Sequence, residues 1–168
     1  MNSKMIPVAV INPDAPPESL EAKQPAIDNG AEIYGKDGYF SLDQMEREWE
    51  KVWTESWLIA GVSSDLQSVG DYFLFRVRSE SIIVTKTEEG VKAFYNVCPH
   101  RGARLLTEER GNKKVFVCPF HSWSFRNSGE LRTITDEETF QDAVICHRPG
   151  LTPVACDEHA GLIFISMA

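Results

Sequence analysis

Short runs of apolar residues, separated by polar turn residues, occupy the chain from about Trp57 to its end. Runs of this length with alternating polarity are typical of β-strands. Glu89-Gly90 and Asn127-Ser128-Gly129 separate neighbouring runs as hairpin turns do. Many short strands with glycine-marked turns predict a mainly β fold, a small antiparallel sandwich or barrel. The predicted strands are 57–62, 71–77, 81–86, 91–96, 114–117, 123–126, 151–155 and 162–166.

One α-helix is predicted before the strands, over residues 39–57. Ser41 and Gln44 have the spacing of a capping box, in which side chains bind the free N–H groups of the first helical turn. Apolar residues then recur every three or four positions and form one stripe. We expect this stripe to pack against the core: Leu42, Met45, Trp49, Val52 and Trp53.

The first 30 residues contain five of the nine prolines and show little hydrophobic periodicity. This composition disfavours both helix and sheet, so we expect an extended or mobile N-terminal arm. The predicted organisation is therefore an arm over 1–38, a helix over 39–57 and a β domain over 58–168.

With 168 residues, 42% of them hydrophobic, the chain can bury the core of one soluble domain. Its net charge of −8 argues against nucleic acid as the main partner. No apolar run approaches the ~18 residues of a membrane helix, and no export signal is apparent. We therefore predict a cytoplasmic protein without membrane contact, in which four cysteines favour metal ligation over disulfides.

Two short Cys/His motifs carry the candidate chemistry. Cys98-Pro99-His100 and Cys118-Pro119-Phe120-His121 each follow an apolar run, so each is expected on a loop that leaves a strand. A [2Fe–2S] cluster with two cysteines on one iron and two histidines on the other suits this set. Zinc also uses two Cys and two His, but zinc modules usually pair Cys with Cys. A Cys98–Cys118 disulfide would leave the histidines unexplained, and a Cys/His nucleophilic pair would explain only one motif.

Around these motifs the chain resembles the Rieske family, specifically the N-terminal domain of ring-hydroxylating oxygenase large subunits. The resemblance covers roughly residues 33–166. It rests on Tyr39-Phe40-Ser41, Glu50-Lys51-Val52-Trp53, Val69-Gly70-Asp71-Tyr72, Asn96-Val97-Cys98-Pro99-His100-Arg101-Gly102, Cys118-Pro119-Phe120-His121-Ser122-Trp123 and Gly161-Leu162-Ile163-Phe164.

The resemblance implies a Rieske-type fold in which two loops form a cluster-binding subdomain. It implies that Cys98 and Cys118 bind one iron of a Rieske [2Fe–2S] cluster, and that His100 and His121 bind the other. The family usually has glycine where this chain has Ser122, and glycine often marks a position that does not tolerate a Cβ atom. The residues expected beside the ligands are Arg101, Gly102 and Trp123.

The function that the resemblance implies is one-electron transfer within an aromatic-ring-hydroxylating oxygenase. The donor would be a ferredoxin or a flavin/iron–sulfur reductase, and the acceptor an oxygenase catalytic domain or subunit. In the family that domain holds a mononuclear iron with two histidines and a carboxylate. Only His147 and His159 follow the cluster motifs, so we expect the catalytic domain to be absent from these residues and the chain alone not to hydroxylate. The alternative is a zinc-stapled β domain that serves as a protein-interaction module.

Respiratory Rieske proteins resemble this chain less closely in the same loops. They carry one further cysteine in each loop, at the positions of Ala103 and Phe120, and the two form a disulfide. They also have a hydroxyl residue at the position of Trp123, which donates a hydrogen bond to a cysteine sulfur. The comparison implies fewer donors to sulfur here and therefore a lower reduction potential.

The remaining cysteines and histidines are interpreted as structural. Cys156 and His159 repeat the C-x-x-H spacing, but Cys156 ends an apolar run, where a free cysteine packs as a small hydrophobe. Cys146 and His147 are adjacent, so their side chains diverge.

Residues 98–132 contain seven basic and three acidic residues, a net charge of +4 within an acidic chain. We expect a basic rim at the histidine end of the cluster, which would attract an acidic redox partner. Its members are Arg101, Arg104, Arg110, Lys113, Lys114, Arg126 and Arg132.

Overall fold

The computed structural model describes residues 35–140 and 150–168. The chain divides into two compact units, residues 1–38 and 39–168, and the architecture below is that of the second unit. Most of the predicted arm, and also Cys146 and His147, lie outside the described residues. Within the described ranges, no helix is long and apolar enough to cross a membrane.

The described part of the chain is mainly antiparallel β-structure, which confirms the predicted fold class. A seven-stranded sheet has the order β1-β10-β9-β4-β3-β2-β5, and a three-stranded sheet has the order β6-β7-β8. The strands are β1 (Leu58–Val62), β2 (Asp71–Val77), β3 (Glu80–Thr87), β4 (Gly90–Tyr95), β5 (Arg110–Asn112), β6 (Val115–Val117), β7 (Ser124–Arg126), β8 (Leu131–Thr133), β9 (Pro153–His159) and β10 (Leu162–Ser166).

All eight strands predicted from the sequence are present, with small differences at their ends. Strands β5 and β8 were not predicted. Each has only three residues and lies at the edge of its sheet, and neither contains an apolar run that would mark it. Hydrophobic periodicity therefore identified the apolar strands and missed two short ones, of which β5 is fully exposed and β8 places only Leu131 against a core.

Alternating side chains of the central strands build two separate cores. On β3, Ile83 packs on one face of the sheet while Ile82 and Val84 pack on the other. The inter-sheet core contains residues of both sheets, including Tyr72, Leu74, Ile83, Phe94, Phe116 and Phe125. The second core contains Leu66, Phe73, Ile82, Val84, Ala93, Val154, Ile163 and Ile165.

The predicted cap at Ser41 is present, although a helical turn over Asp37–Phe40 begins two residues before the predicted start of the helix. The backbone N–H of Gln44 donates to Ser41 Oγ at 3.3 Å, so Ser41 caps the helix. The α-helical geometry ends at Glu48 rather than near Trp57, and a π-helix follows it. The helical segments are Asp37–Phe40, Leu42–Glu48 and Trp49–Trp53, with 3₁₀ turns at Ser63–Asp65 and Glu137–Thr139.

The apolar stripe of the helix does not pack against either core, so that expectation was wrong. Leu42 is 74% exposed and Trp53 is 44% exposed. Trp49 is half-buried, and the Arg78 guanidinium lies 5.3 Å from its ring centroid. Arg78, in the β2–β3 turn, also forms an ion pair with Glu46. A cation–π contact and an ion pair thus connect the helix to the β2–β3 turn.

Both ligand motifs lie in loops with the same backbone hydrogen bonds. In the loop after β4, the N–H of Gly102 donates to the Cys98 carbonyl at 2.9 Å, and the N–H of Cys98 donates to the Ala103 carbonyl at 2.7 Å. In the loop between β6 and β7, Ser122 and Trp123 repeat these bonds around Cys118, at 3.0 and 2.8 Å. Gly102 has a φ of +72° and Ser122 has a φ of +59°, so both occupy the left-handed region.

The buried side chain of Asn96 fixes the first loop. Its amide Nδ2 donates to the Leu106 carbonyl at 2.7 Å and to Ser81 Oγ at 3.1 Å. Its Oδ1 accepts from the backbone N–H groups of Leu105 and Leu106, at 3.2 and 2.9 Å. These four bonds connect both ends of the first loop to β3.

We predict that Asn96→Ala lowers the free energy of unfolding by about 3 kcal/mol, because it leaves two buried N–H groups without an acceptor. Urea unfolding of the iron-loaded chain measures this value. Asn112→Ala is the matched control, since the Asn112 amide is exposed and donates to Asp71 at 2.8 Å; its cost should stay below about 1 kcal/mol. Equal losses in the two variants would contradict the role given to Asn96.

We also predict that Ser122→Gly stabilises the chain slightly. A left-handed conformation costs a non-glycine residue about 1–2 kcal/mol, and the greater freedom of glycine in the unfolded state offsets about half of this. The expected gain is about 0.5 kcal/mol, measured by thermal unfolding. Ser64→Gly, an exposed serine in a 3₁₀ turn, should instead reduce stability. A loss of stability in Ser122→Gly would show that the serine side chain itself stabilises the loop.

Candidate metal centre

The two cysteines of the motifs are core residues. Cys98 is 1% exposed and Cys118 is 2% exposed, and both belong to the inter-sheet core. Burial raises the pKa of the Cys98 thiol. The backbone N–H groups of His100 and Arg101, which bond to its sulfur, lower that pKa, and the neighbouring Cys118 thiol raises it. The two sulfur atoms therefore lie side by side in an apolar environment that already supplies hydrogen-bond donors.

The two histidines of the motifs lie next to each other and closer to the surface. The ring centroids of His100 and His121 are 4.7 Å apart, and both residues are half-buried. Nδ1 of His121 is buried and has no hydrogen-bond partner among the described residues. A buried imidazole nitrogen without such a partner is suited to bind a metal ion.

Aromatic side chains hold both imidazole rings. Trp123, which is 1% exposed, stacks on His100 with 4.7 Å between centroids and an interplanar angle of 5°. Phe140 meets both of these rings edge-on, at 6.1 and 5.8 Å. On the other side, the ring of Phe120 lies 4.0 Å from the centroid of His121 and is 60% exposed. Trp123 was expected beside the ligands, and it contacts one of them by stacking on the His100 ring.

The donors are arranged as two pairs and not around a single point. Among residues 35–140 and 150–168, no three His, Cys, Asp or Glu side chains could hold one metal ion together. Tetrahedral zinc requires four donors around one ion. A cluster with two irons requires only two protein donors on each, which is what the thiol pair and the imidazole pair offer. The residues therefore fit a [2Fe–2S] group and do not favour the zinc interpretation.

A cavity of about 220 Å³ opens onto the two imidazoles. Besides the histidines, its walls include Thr135, Asp136 and Phe140 from the segment that follows β8. Asp136 has a φ of +55°, which turns this irregular segment. Sequence reasoning missed these residues because they belong to no motif and lie far from the ligands along the chain.

The predicted basic rim is only partly present. Three of its members are ion-paired: Arg110 with Asp65 at 2.9 Å, Lys113 with Glu108 at 3.7 Å and Arg126 with Glu130 at 3.8 Å. Lys114 lines another cavity, beside the β3–β4 turn. That turn and the first ligand loop lie at opposite ends of β4, about 17 Å apart along the strand. Arg101, adjacent to His100, is exposed. The acidic Asp136 also lies at the imidazole cavity, so this end of the molecule carries both signs of charge.

The two Cys/His residues of strand β9 lie apart from the ligand loops. Cys156 packs against the second core, and burial raises its pKa to about 11, with a further contribution from Asp157 and Glu158. Cys156 thus packs as a small hydrophobe, in a different core from the two motif cysteines. His159 is exposed at the end of the strand. These positions agree with the structural interpretation.

Comparison with known proteins identifies the family. The Rieske [2Fe-2S] domain matches residues 56–148. The carnitine monooxygenase oxygenase subunit of Escherichia coli strain K12 is 37% identical over 130 residues, which are 77% of this chain and 34% of that protein. The glycine betaine monooxygenase oxygenase subunit of Chromohalobacter salexigens is 30% identical over 156 residues, 92% of this chain and 34% of that protein.

Solved structures agree with the sequence comparison. The apo form of a quaternary ammonium Rieske monooxygenase superposes with a TM-score of 0.75 at 32% identity, over 81% of this chain and 40% of that one. Naphthalene 1,2-dioxygenase superposes with a TM-score of 0.68 at 29% identity, over 75% of this chain and 29% of that one. The chain spans about a third of the length of the curated relatives that it matches. With a domain match over more than half of its residues, the chain belongs to the Rieske [2Fe-2S] domain family, whose members bind a [2Fe–2S] cluster.

Proposed function

We propose that this chain transfers single electrons through a [2Fe–2S] cluster held by Cys98, His100, Cys118 and His121. One observation carries the proposal: two loops with the same hydrogen-bond frame bring two buried thiols and two imidazoles together in pairs. When bound, the cluster accepts and donates one electron. The two cysteines would hold the inner iron as thiolates, and the two histidines would hold the outer iron through ring nitrogens.

The surrounding residues orient the ligands and exclude water. Trp123 and Phe140 fix the plane of the His100 ring, and the buried indole belongs to the same apolar core as the two thiols. The N–H groups of His100 and Arg101 bond to Cys98 Sγ and stabilise its negative charge. Neutral imidazoles in place of two thiolates reduce the negative charge of the site, which favours uptake of an electron.

Electrons would enter and leave on the imidazole side. The histidines face a cavity at the surface, whereas the cysteines lie inside the core. A short path from the outer ligands to a partner favours transfer through His100 and His121. The proposed donor is a ferredoxin or a flavin/iron–sulfur reductase, and the proposed acceptor is the catalytic part of a Rieske oxygenase.

The comparisons do not support the expected aromatic substrate. The relatives with the larger matched share of this chain are named for carnitine and glycine betaine, although naphthalene 1,2-dioxygenase also matches. We therefore propose the coarser role, electron transfer to a Rieske oxygenase site. The four proposed ligands take part in electron transfer only, so they do not indicate which organic substrate the oxygenase uses.

The ligand assignment predicts that Cys98→Ser and Cys118→Ser abolish iron binding and lower the melting temperature, because metal binding contributes folding free energy. Cys156→Ser is the matched control: it removes a thiol from the second core and should retain full iron and sulfide content. Iron and sulfide analysis, visible absorption and thermal unfolding provide the measurements. A colourless, zinc-containing wild-type protein, or Cys98→Ser with unchanged iron, would refute the proposal.

The reduction potential is expected near the low end of the Rieske range, roughly −150 mV. Ala103 and Phe120 cannot form the disulfide found in the respiratory proteins, and Trp123 has no hydroxyl to donate to sulfur. Fewer donors to sulfur stabilise the reduced state less. A redox titration followed by visible spectroscopy gives the midpoint. A value above about +100 mV would contradict this explanation.

A further inference from the structure

The two ligand loops share one backbone frame, but they place their histidines at different positions within it. In each loop, the N–H four positions after the cysteine donates to the cysteine carbonyl, and the cysteine N–H donates to the carbonyl five positions after it. His100 is the second residue after its cysteine, whereas His121 is the third. The frame position that holds a histidine in the first loop therefore holds Phe120 in the second, a residue without a donor atom for a metal.

The side chain of Phe120 contacts the histidine that follows it. The centroids of the Phe120 and His121 rings are 4.0 Å apart, and their planes meet at 38°. The other ring on His121 is that of His100, at 4.7 Å. In the described part of the chain, Phe120 is thus the one aromatic side chain that meets His121 and is not itself a proposed ligand.

The two imidazoles differ in what holds them. His100 is held from the interior, because Trp123 stacks on it almost in parallel and is only 1% exposed. The aromatic contact of His121 comes from the surface instead, because Phe120 is 60% exposed. The orientation of His121 therefore depends on a side chain that solvent reaches.

The backbone of the second loop fixes the place of Phe120. Pro119 precedes it and has a restricted φ. The two frame bonds, at 3.0 and 2.8 Å, close the loop around both residues. Because the backbone is held in this way, the Phe120 ring meets His121 with little further loss of backbone freedom.

An exposed apolar side chain needs no special role by itself. Val117, at the end of β6, is 52% exposed and belongs to neither core. Phe120 differs from it because its ring lies directly against the ring of a proposed ligand. Removing a group that orients a metal-binding histidine weakens metal binding by about 10- to 100-fold.

We propose that Phe120 is a positioning residue for His121: its ring fixes the plane of the imidazole and keeps water from one face of it. This inference rests on the proposed function, in which His121 holds the outer iron. A fixed plane keeps the buried Nδ1 of His121 directed into the site. Reduction adds a negative charge to the site, and water stabilises charge, so the cover also lowers the reduction potential.

The first test follows the loss of visible absorption when the iron-loaded chain is mixed with excess EDTA. Phe120→Ala should be purified with full iron and sulfide content but release iron about tenfold faster. Phe120→Tyr keeps the ring and should release iron at the wild-type rate. Val117→Ala removes an apolar side chain of similar exposure from the same small sheet and should also match the wild type.

The second test separates the orientation of His121 from a general loss of stability. In the reduced samples, Phe120→Ala should shift the g values of the electron paramagnetic resonance signal and raise the midpoint potential. Phe120→Tyr and Val117→Ala should leave both unchanged. Hydrogen–deuterium exchange of β3 should be the same in Phe120→Ala and the wild type, because Phe120 belongs to neither core.

Several results would overturn the proposal. One is wild-type iron release with an unshifted signal in Phe120→Ala. Another is equally fast release in Phe120→Tyr or Val117→Ala, which would remove the link to the ring. Faster exchange of β3 in Phe120→Ala would indicate general destabilisation and would count against the proposal as well.

The wild-type chain keeps the two proposals distinguishable. If it shows a Rieske signal and Phe120→Ala behaves identically, only the positioning role is refuted. If the wild-type chain gives no Rieske signal, the proposed function itself is refuted.

Discussion

The burial of two adjacent thiols in an apolar core is the constraint on which the rest of the structure depends. Cys98 and Cys118 are almost fully buried and come from loops on different sheets. Burial disfavours the ionised form of a thiol, which is the form that binds a metal. The backbone must therefore hold both loops independently, and it does so with the same pair of hydrogen bonds around each cysteine.

The two cores pack on the strands from which these loops leave. Alternate residues of β3 enter different cores, so the seven-stranded sheet is packed on both faces. One of these faces carries the small sheet with the second ligand loop, and the Asn96 side chain connects the first loop to β3. As a result, the thiols point inward and the imidazoles point toward the surface, which gives the site an insulated side and a side open to partners.

A second feature of the surface is a set of apolar side chains that the described residues leave exposed. The helix stripe has the apolar spacing of a core, but Leu42, Met45, Val52 and Trp53 are exposed. Its fifth member, Trp49, is half-buried, with the Arg78 guanidinium over its ring. Apolar residues at core spacing favour burial wherever a complementary surface exists. The surface around the two histidines is different, because it combines charged residues with an apolar one: Arg101, Asp136 and the exposed Phe120. Such a mixture is suited to short-lived contacts with a redox partner.

Sequence alone determined the fold class, eight of the ten described strands, the helix cap at Ser41 and the two Cys/His motifs. These features depend on local pattern: period-two alternation, capping chemistry and the spacing of ligands within a loop. Ser122 is a similar case, since the glycine usual at this position corresponds to a left-handed backbone that this chain also adopts.

Tertiary structure decided what depends on contacts between distant segments. Strands β5 and β8 exist because a neighbouring strand supplies hydrogen-bond partners, which their own polar residues do not reveal. The contact of Phe140 with His100, and the ion pair of Arg110 with Asp65, join positions remote in sequence. Periodicity identified which helix residues share a face, but it could not show what covers that face, because the covering surface is not encoded in the helix itself.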